Sequence, residues 1–272
     1  MNAGKKAAFG AVVMAGASVL AGTNDLTVAG YASFDVSSGY VLYGARATDE
    51  PCYWTYGELS VGYRDWCSFG ASLWQNTDMT TRRKETMRRM NEWDWSAFGR
   101  TGIDLADDWR LALEAGHVWY VYHGIRPASR DFYHTMEEWY GRMALENPFV
   151  TPYFEGYYDH QVYKGAFWQG GIRRTFGLPL GLTLTPDVTV GGGSRNYNAC
   201  MYPPYDGSVG GGVTFVQAAG TLAYWFNEHF GVHAKVAYAV LTDEDIRHAV
   251  KAEGGPLANQ FVWGTVGVDI AF

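Results

Sequence analysis

Residues 260–272 read QFVWGTVGVDIAF. Val262, Gly264, Val266, Val268, Ile270 and Phe272 fall on one face of an extended chain, and Trp263, Thr265, Gly267, Asp269 and Ala271 on the other. Alternation of period two is the signature of a strand with two unlike faces. About ten residues is also the length at which a tilted strand crosses a bilayer.

The same rhythm recurs upstream. Phe230, Val232, Ala234, Val236, Tyr238 and Val240 oppose His233 and Lys235. Leu184, Val188 and Val190 oppose Thr183, Thr185, Asp187 and Thr189, while Trp95, Ala97, Ile103 and Leu105 oppose Asp94, Ser96, Arg100 and Asp104. Short connections fall at Arg64-Asp65, Asp107-Asp108, Asn147-Pro148, Gly177 to Gly181 and Asn227 to His229. Long ones cover roughly Arg46–Pro51, Asn76–Glu92, Gly124–Thr135, His160–Lys164, Gly193–Ser208 and Thr242–Asn259. Short and long alternate throughout, and eleven connections imply about twelve strands. The expected fold is all-β: one transmembrane antiparallel up-and-down barrel of the outer-membrane kind, both termini periplasmic. Closure follows because an open sheet edge in hydrocarbon leaves backbone groups unpaired.

Composition agrees. The chain has 272 residues, 47% hydrophobic and 16% aromatic, with 34 glycines, 19 tyrosines and 11 tryptophans. So much apolar surface excludes disorder, and the absence of an 18-residue apolar run past the first 22 positions excludes spanning helices. Tyr53, Tyr63, Trp93, Trp95, Trp109, Trp119, Trp139 and Phe176 stand near strand ends, where interface girdles form.

Residues 1–21 have the make-up of an export signal. Lys5 and Lys6 precede an apolar run from Ala7 to Ala21, and Val19 and Ala21 are the small residues before a cleavage site ahead of Gly22. The barrel then occupies 22–272. Without those two lysines, 19 basic residues face 28 acidic ones, a net charge of −9, which argues against nucleic acid as a partner. Three cysteines, Cys52, Cys67 and Cys200, exclude a full disulfide framework. A Cys52–Cys200 bridge near one rim and three free thiols both remain open.

If apolar faces meet lipid, the opposite faces line the lumen. The candidate lining charges are Asp35, Glu58, Asp94, Arg100, Arg110, Glu114, Arg142, Glu155, Arg173, Asp187 and Lys235. With Asp104, Glu138, Glu146, Asp159 and Asp269 on the same faces, acids outnumber bases. Such an excess concentrates cations, so the expected function is passive diffusion of small solutes through a narrow channel with a weak cation preference. The alternative is a closed barrel acting through its loops, with Arg100, Arg110 and Arg142 paired to Glu114, Glu138 and Glu155, and Trp54 and tyrosines filling the lumen.

An outer-membrane hydrolase is the third reading. None of the histidines at 117, 123, 134, 160, 229, 233 and 248 has a serine two residues later, and Asp159-His160 is the one adjacent acid–histidine pair. No enzymatic activity, cofactor or metal is expected. Asp243, Glu244 and Asp245 lack calcium-loop spacing. Arg82, Arg83, Lys84, Arg88 and Arg89 read as a solvated loop or as a contact for lipopolysaccharide phosphates.

Residues 35–51, DVSSGYVLYGARATDEP, resemble the first hairpin of the small TorF-like porin family of bacterial outer-membrane barrels. Residues 92–124, EWDWSAFGRTGIDLADDWRLALEAGHVWYVYHG, resemble its central hairpin. The resemblance implies an outer-membrane barrel and a pore, and no catalytic residues. The aromatic terminus Phe272 is the kind of ending that the barrel-assembly machinery reads as an insertion signal. The expected partners are then outer-membrane lipid, lipopolysaccharide, that machinery and small solutes.

Overall fold

The computed structural model describes residues 25–42, 44–64, 66–79, 91–123, 135–202, 209–253 and 258–272. The leader at 1–21 and the basic cluster at 82–89 lie outside the described residues.

Twelve strands form the wall: β1 (Leu26–Ser37), β2 (Cys52–Tyr63), β3 (Cys67–Asp78), β4 (Asn91–Ala106), β5 (Trp109–His123), β6 (Thr135–Glu146), β7 (Thr151–Asp159), β8 (Gly165–Arg173), β9 (Leu182–Gly193), β10 (Gly212–Trp225), β11 (Phe230–Leu241) and β12 (Gln260–Ala271). Each pairs antiparallel with its sequence neighbour, and β12 pairs with β1 to close the cylinder. Closure leaves no wall edge to satisfy. At the seam Phe34 lies opposite Val268. Phe272 donates its N–H to Gly30 (3.0 Å) and accepts the Gly30 N–H (2.7 Å). A side chain on Gly30 would meet the Phe272 ring, 2.3 Å from an added Cβ, so this glycine gives the terminal aromatic its seat.

The two rims differ. The connections β2–β3, β4–β5, β6–β7, β8–β9 and β10–β11 share one rim, the short-turn rim, and the other six share the opposite, long-loop rim; the one exception to the expected lengths is that β8–β9 (174–181) is longer than β7–β8 (160–164). The chain's first strand starts, and its last ends, at the short-turn rim, since Leu26 pairs with Tyr63 and Ala271 with Tyr31. The alternating faces divide as the sequence predicts. Phe34, Leu59, Val61, Phe69, Val188, Val236, Val262, Val266, Val268 and Ile270 are exposed on the outside. Tyr63, Trp95, Trp109, Trp119, Trp139 and Phe176 are exposed there as well.

Two features depart from the sequence reading. The chain leaves the wall at Ser37 and returns at Cys52, so residues 35–51 are not one wall hairpin. Tyr40–Leu42 and Ala45–Thr48 instead make a separate ribbon that turns at Gly44, whose φ of +78° suits glycine. Helices, which no long period announces, occupy two of the long connections: α1 (Arg195–Met201) and α2 (Glu244–Glu253). The glycine run Gly191–Gly193 coincides with a register shift at Gly191/Gly192.

Candidate functional site

The inner face carries a connected girdle of charge. Arg100 on β4 donates to Glu58 on β2, at 2.9 Å through Nη2 and also through Nη1, and its Nε donates to Glu114 on β5. Glu114 in turn accepts from Arg142 Nη1 on β6 at 3.0 Å. Arg142 Nε lies 3.0 Å from Glu155 on β7, and its Nη2 donates to the Tyr157 hydroxyl at 2.8 Å. Gln169 on β8 donates to Glu155. One chain of charge-assisted bonds thus runs from β2 to β8. Such bonds are the stronger class, and in a confined site they are mutually supportive.

The opposite wall holds a second cluster. His233 on β11 lies between two carboxylates, with Nδ1 2.8 Å from Asp269 and Nε2 2.7 Å from Asp35. The Tyr31 hydroxyl donates to Asp269. On β9, Asp187 accepts from Thr189 (2.7 Å) and Tyr153 (3.1 Å).

Above the girdle, toward the long-loop rim, the described residues form an apolar stopper. Phe98, Val118, Tyr120, Met136, Tyr140, Tyr157, Phe167, Phe215 and Leu241 of the wall pack with Ala45 of the ribbon, Tyr197 of α1, and Ile246 and Val250 of α2. Tyr202 and Val209 complete the cluster. Ser194 caps α1 by accepting the Tyr197 N–H, and Asp243 caps α2 by accepting the Ile246 N–H at 2.9 Å. Between stopper and girdle a cavity of about 310 Å³ remains, lined in part by Tyr56, Ser72, Trp74, Asp94, Ser96, Arg100, Glu114 and Arg142.

The sequence-predicted residues therefore distribute as follows. Glu58, Arg100, Glu114, Arg142 and Glu155 are brought together; Asp35 joins the His233 cluster, and Asp94 faces the cavity. Arg110 pairs with Asp104 at the short-turn rim, 3.5 Å away, and not with the expected Glu114, Glu138 or Glu155. Its strand position decides this, since Asp104 is its direct cross-strand neighbour. Glu138 accepts the Tyr120 hydroxyl at 2.7 Å. Arg173 stacks over Tyr153, 5.1 Å from the ring centroid, beside Asp187 in register. Lys235 stands between Thr221 and Thr265 in register on the inner face.

The Asp159-His160 pair separates. Asp159 turns inward and caps its own connection, accepting N–H bonds from Gln161, Val162 and Tyr163 at 2.7–3.0 Å. His160 stands beside Glu137 instead. All three cysteines are free, Cys52 buried and Cys200 exposed, which leaves no Cys52–Cys200 bridge. Sequence reasoning missed the stopper and the inward Glu92, which is fully buried. Glu92 shares parity with Asp94 on β4, a signal available from alternation alone.

No family model matches the chain, so the TorF-like resemblance of its two hairpins has no counterpart there, and no curated protein matches it in sequence. Among solved structures it is similar to the KdgM porin in complex with disordered oligogalacturonate, at 12% identity and TM-score 0.48, covering 90% of this chain and 99% of that one. The NanC porin gives 14% identity and TM-score 0.48, with 89% and 98% covered. Outer membrane phospholipase A from Escherichia coli gives 15% and 0.45, with 89% and 92% covered. The architecture itself, a closed antiparallel wall of twelve strands with an apolar exterior, is that of a barrel that spans an outer membrane.

Proposed function

We propose that this chain is a narrow outer-membrane channel for small solutes, closed at rest by its own loops. The observation that carries this reading is the charged girdle with an open cavity above it: a polar inner face inside an apolar outer belt. Twelve strands give a lumen between that of small filled barrels and that of wide porins. In this reading the pore-lining residues are Asp35, Glu58, Asp94, Arg100, Arg110, Glu114, Arg142, Glu155, Arg173, Asp187 and Lys235. In the membrane the short-turn rim and both termini face the periplasm, and Phe272 serves as the insertion signal for the assembly machinery. The excess of inner-face acids supports a weak cation preference.

The test is a planar-bilayer recording of the refolded barrel. Conductance with a reversal potential on the cation side, under a salt gradient, is the expected result. No conductance under any voltage, or anion preference, overturns it. The apolar stopper favours a second reading, a permanently closed barrel that works through its loops. Loosening the stopper at α2 separates the two.

A further inference from the structure

Three groups on the outer wall meet where a membrane barrel ordinarily shows only apolar side chains. His117 on β5 pairs across to Trp139 on β6, and Glu137 pairs to Trp119. His160 follows the last residue of β7. A carboxylate and two imidazoles on a lipid-facing surface are costly unless something compensates them.

The geometry is not that of hydrogen bonds. His117 Nε2 lies 3.6 Å from Glu137 Oε2, and His160 Nε2 lies 3.7 Å from the same oxygen. Both separations exceed hydrogen-bond length. They approach the edge of about 3.4 Å that joins two ligands of one tetrahedral ion with metal–ligand bonds near 2.1 Å. One ligand atom from each residue falls within 4.8 Å of the others. His117 is 8% exposed and is gripped by Trp119 and Trp139, whose ring centroids lie 4.3 and 4.4 Å away. Its Nδ1 is buried without a hydrogen-bond partner, as is that of His160.

We propose that His117, Glu137 and His160 form a three-ligand site for a divalent transition metal of the zinc class. Two imidazoles and one carboxylate suit zinc, copper or nickel, whereas calcium and magnesium favour oxygen-only shells. Three protein ligands leave the fourth tetrahedral position to water or an anionic oxygen. Ala97, Gly99 and Ala115 line the adjoining groove and leave room for it. With Glu137 ionised, the bound site carries one net positive charge on the long-loop side of the apolar belt.

The experiment uses the full barrel, refolded in detergent and freed of metal, titrated with Co²⁺ and then Zn²⁺. One equivalent of Co²⁺ should give the intense visible bands of four-coordinate cobalt, and Zn²⁺ should abolish them. His160→Ala and Glu137→Gln should each weaken Zn²⁺ binding at least tenfold, with His248→Ala on α2 as the unaffected control. Heat-modifiable gel mobility reports whether each variant is folded. X-ray absorption on the zinc-loaded wild type does not depend on any variant, and should find two imidazoles and one carboxylate. Absence of saturable binding, binding unchanged in the folded variants, an oxygen-only shell, or equal competition by Mg²⁺ would each overturn the site.

Discussion

Glu114 lies between two guanidinium groups, with its side chain 3% exposed. Removing one partner from a buried ionic network leaves the other charges uncompensated, at a cost of about 3 kcal/mol. Glu114→Gln should lower the urea-unfolding free energy of the refolded barrel by about that amount, and an unchanged midpoint would contradict the network's role. The faces admit a paired test. Val268 is 47% exposed on the outside, so Val268→Arg should reduce the folded fraction through a cost of about 2–4 kcal/mol at mid-bilayer. Thr185, on the inner face beside Thr175, should tolerate arginine. Equal yields of the two folded variants would reverse the assignment of faces. Which way each residue points was legible from alternation alone. Which charges touch was not. Arg100 reaches Glu58 two strands away, across β3, because β3 carries only the small residues Ser68, Gly70 and Ser72 beneath it. That contact depends on the stagger between strands, which no single strand records.

At the scale of elements, α2 shows what the alternating pattern hides. Asp243, Glu244 and Asp245 read in sequence as a cation cluster without the right spacing. In the fold Asp243 caps the helix, Glu244 and Asp245 occupy its first turn, and Lys251 its last. Acids early and a base late follow the helix dipole. Ile246 and Val250 lie four apart on the face that enters the stopper, 0% and 2% exposed. Those signals were present, but a segment of ten residues between strands is short for a periodicity to register. Ile246→Asp with Val250→Asp should loosen the stopper and speed liposome swelling by small sugars, leaving the barrel folded. Swelling that stays at background in this variant would favour the permanently closed reading. Asp243→Ala removes the cap alone, worth about 1 kcal/mol, and should raise the channel's open fraction more modestly in bilayer recordings.

For the whole molecule, strand number was readable because turns and loops alternate, and each turn of short chain forces its two strands to be antiparallel neighbours. The apolar exterior was readable for the same reason. The state of the lumen was not, because among the described residues the ribbon, α1 and α2 all send side chains back into the apolar cluster at the long-loop rim. Their packing depends on contacts between residues far apart in sequence, such as Phe215 with Phe167, stacked at 6.4 Å. The purified chain should require detergent to remain monodisperse. A compact monomer in plain buffer, measured by light scattering, would refute the outward-facing belt on which the channel reading rests.

Among the described residues the apolar stopper lies at one rim and has no counterpart at the other, so the barrel has no mirror symmetry along its axis. In the proposed channel an ion driven from the turn side meets the arginine girdle before the stopper, whereas one driven from the loop side meets the aromatic rings first. Currents through singly oriented molecules should therefore rectify, passing more readily under one sign of voltage than under its opposite.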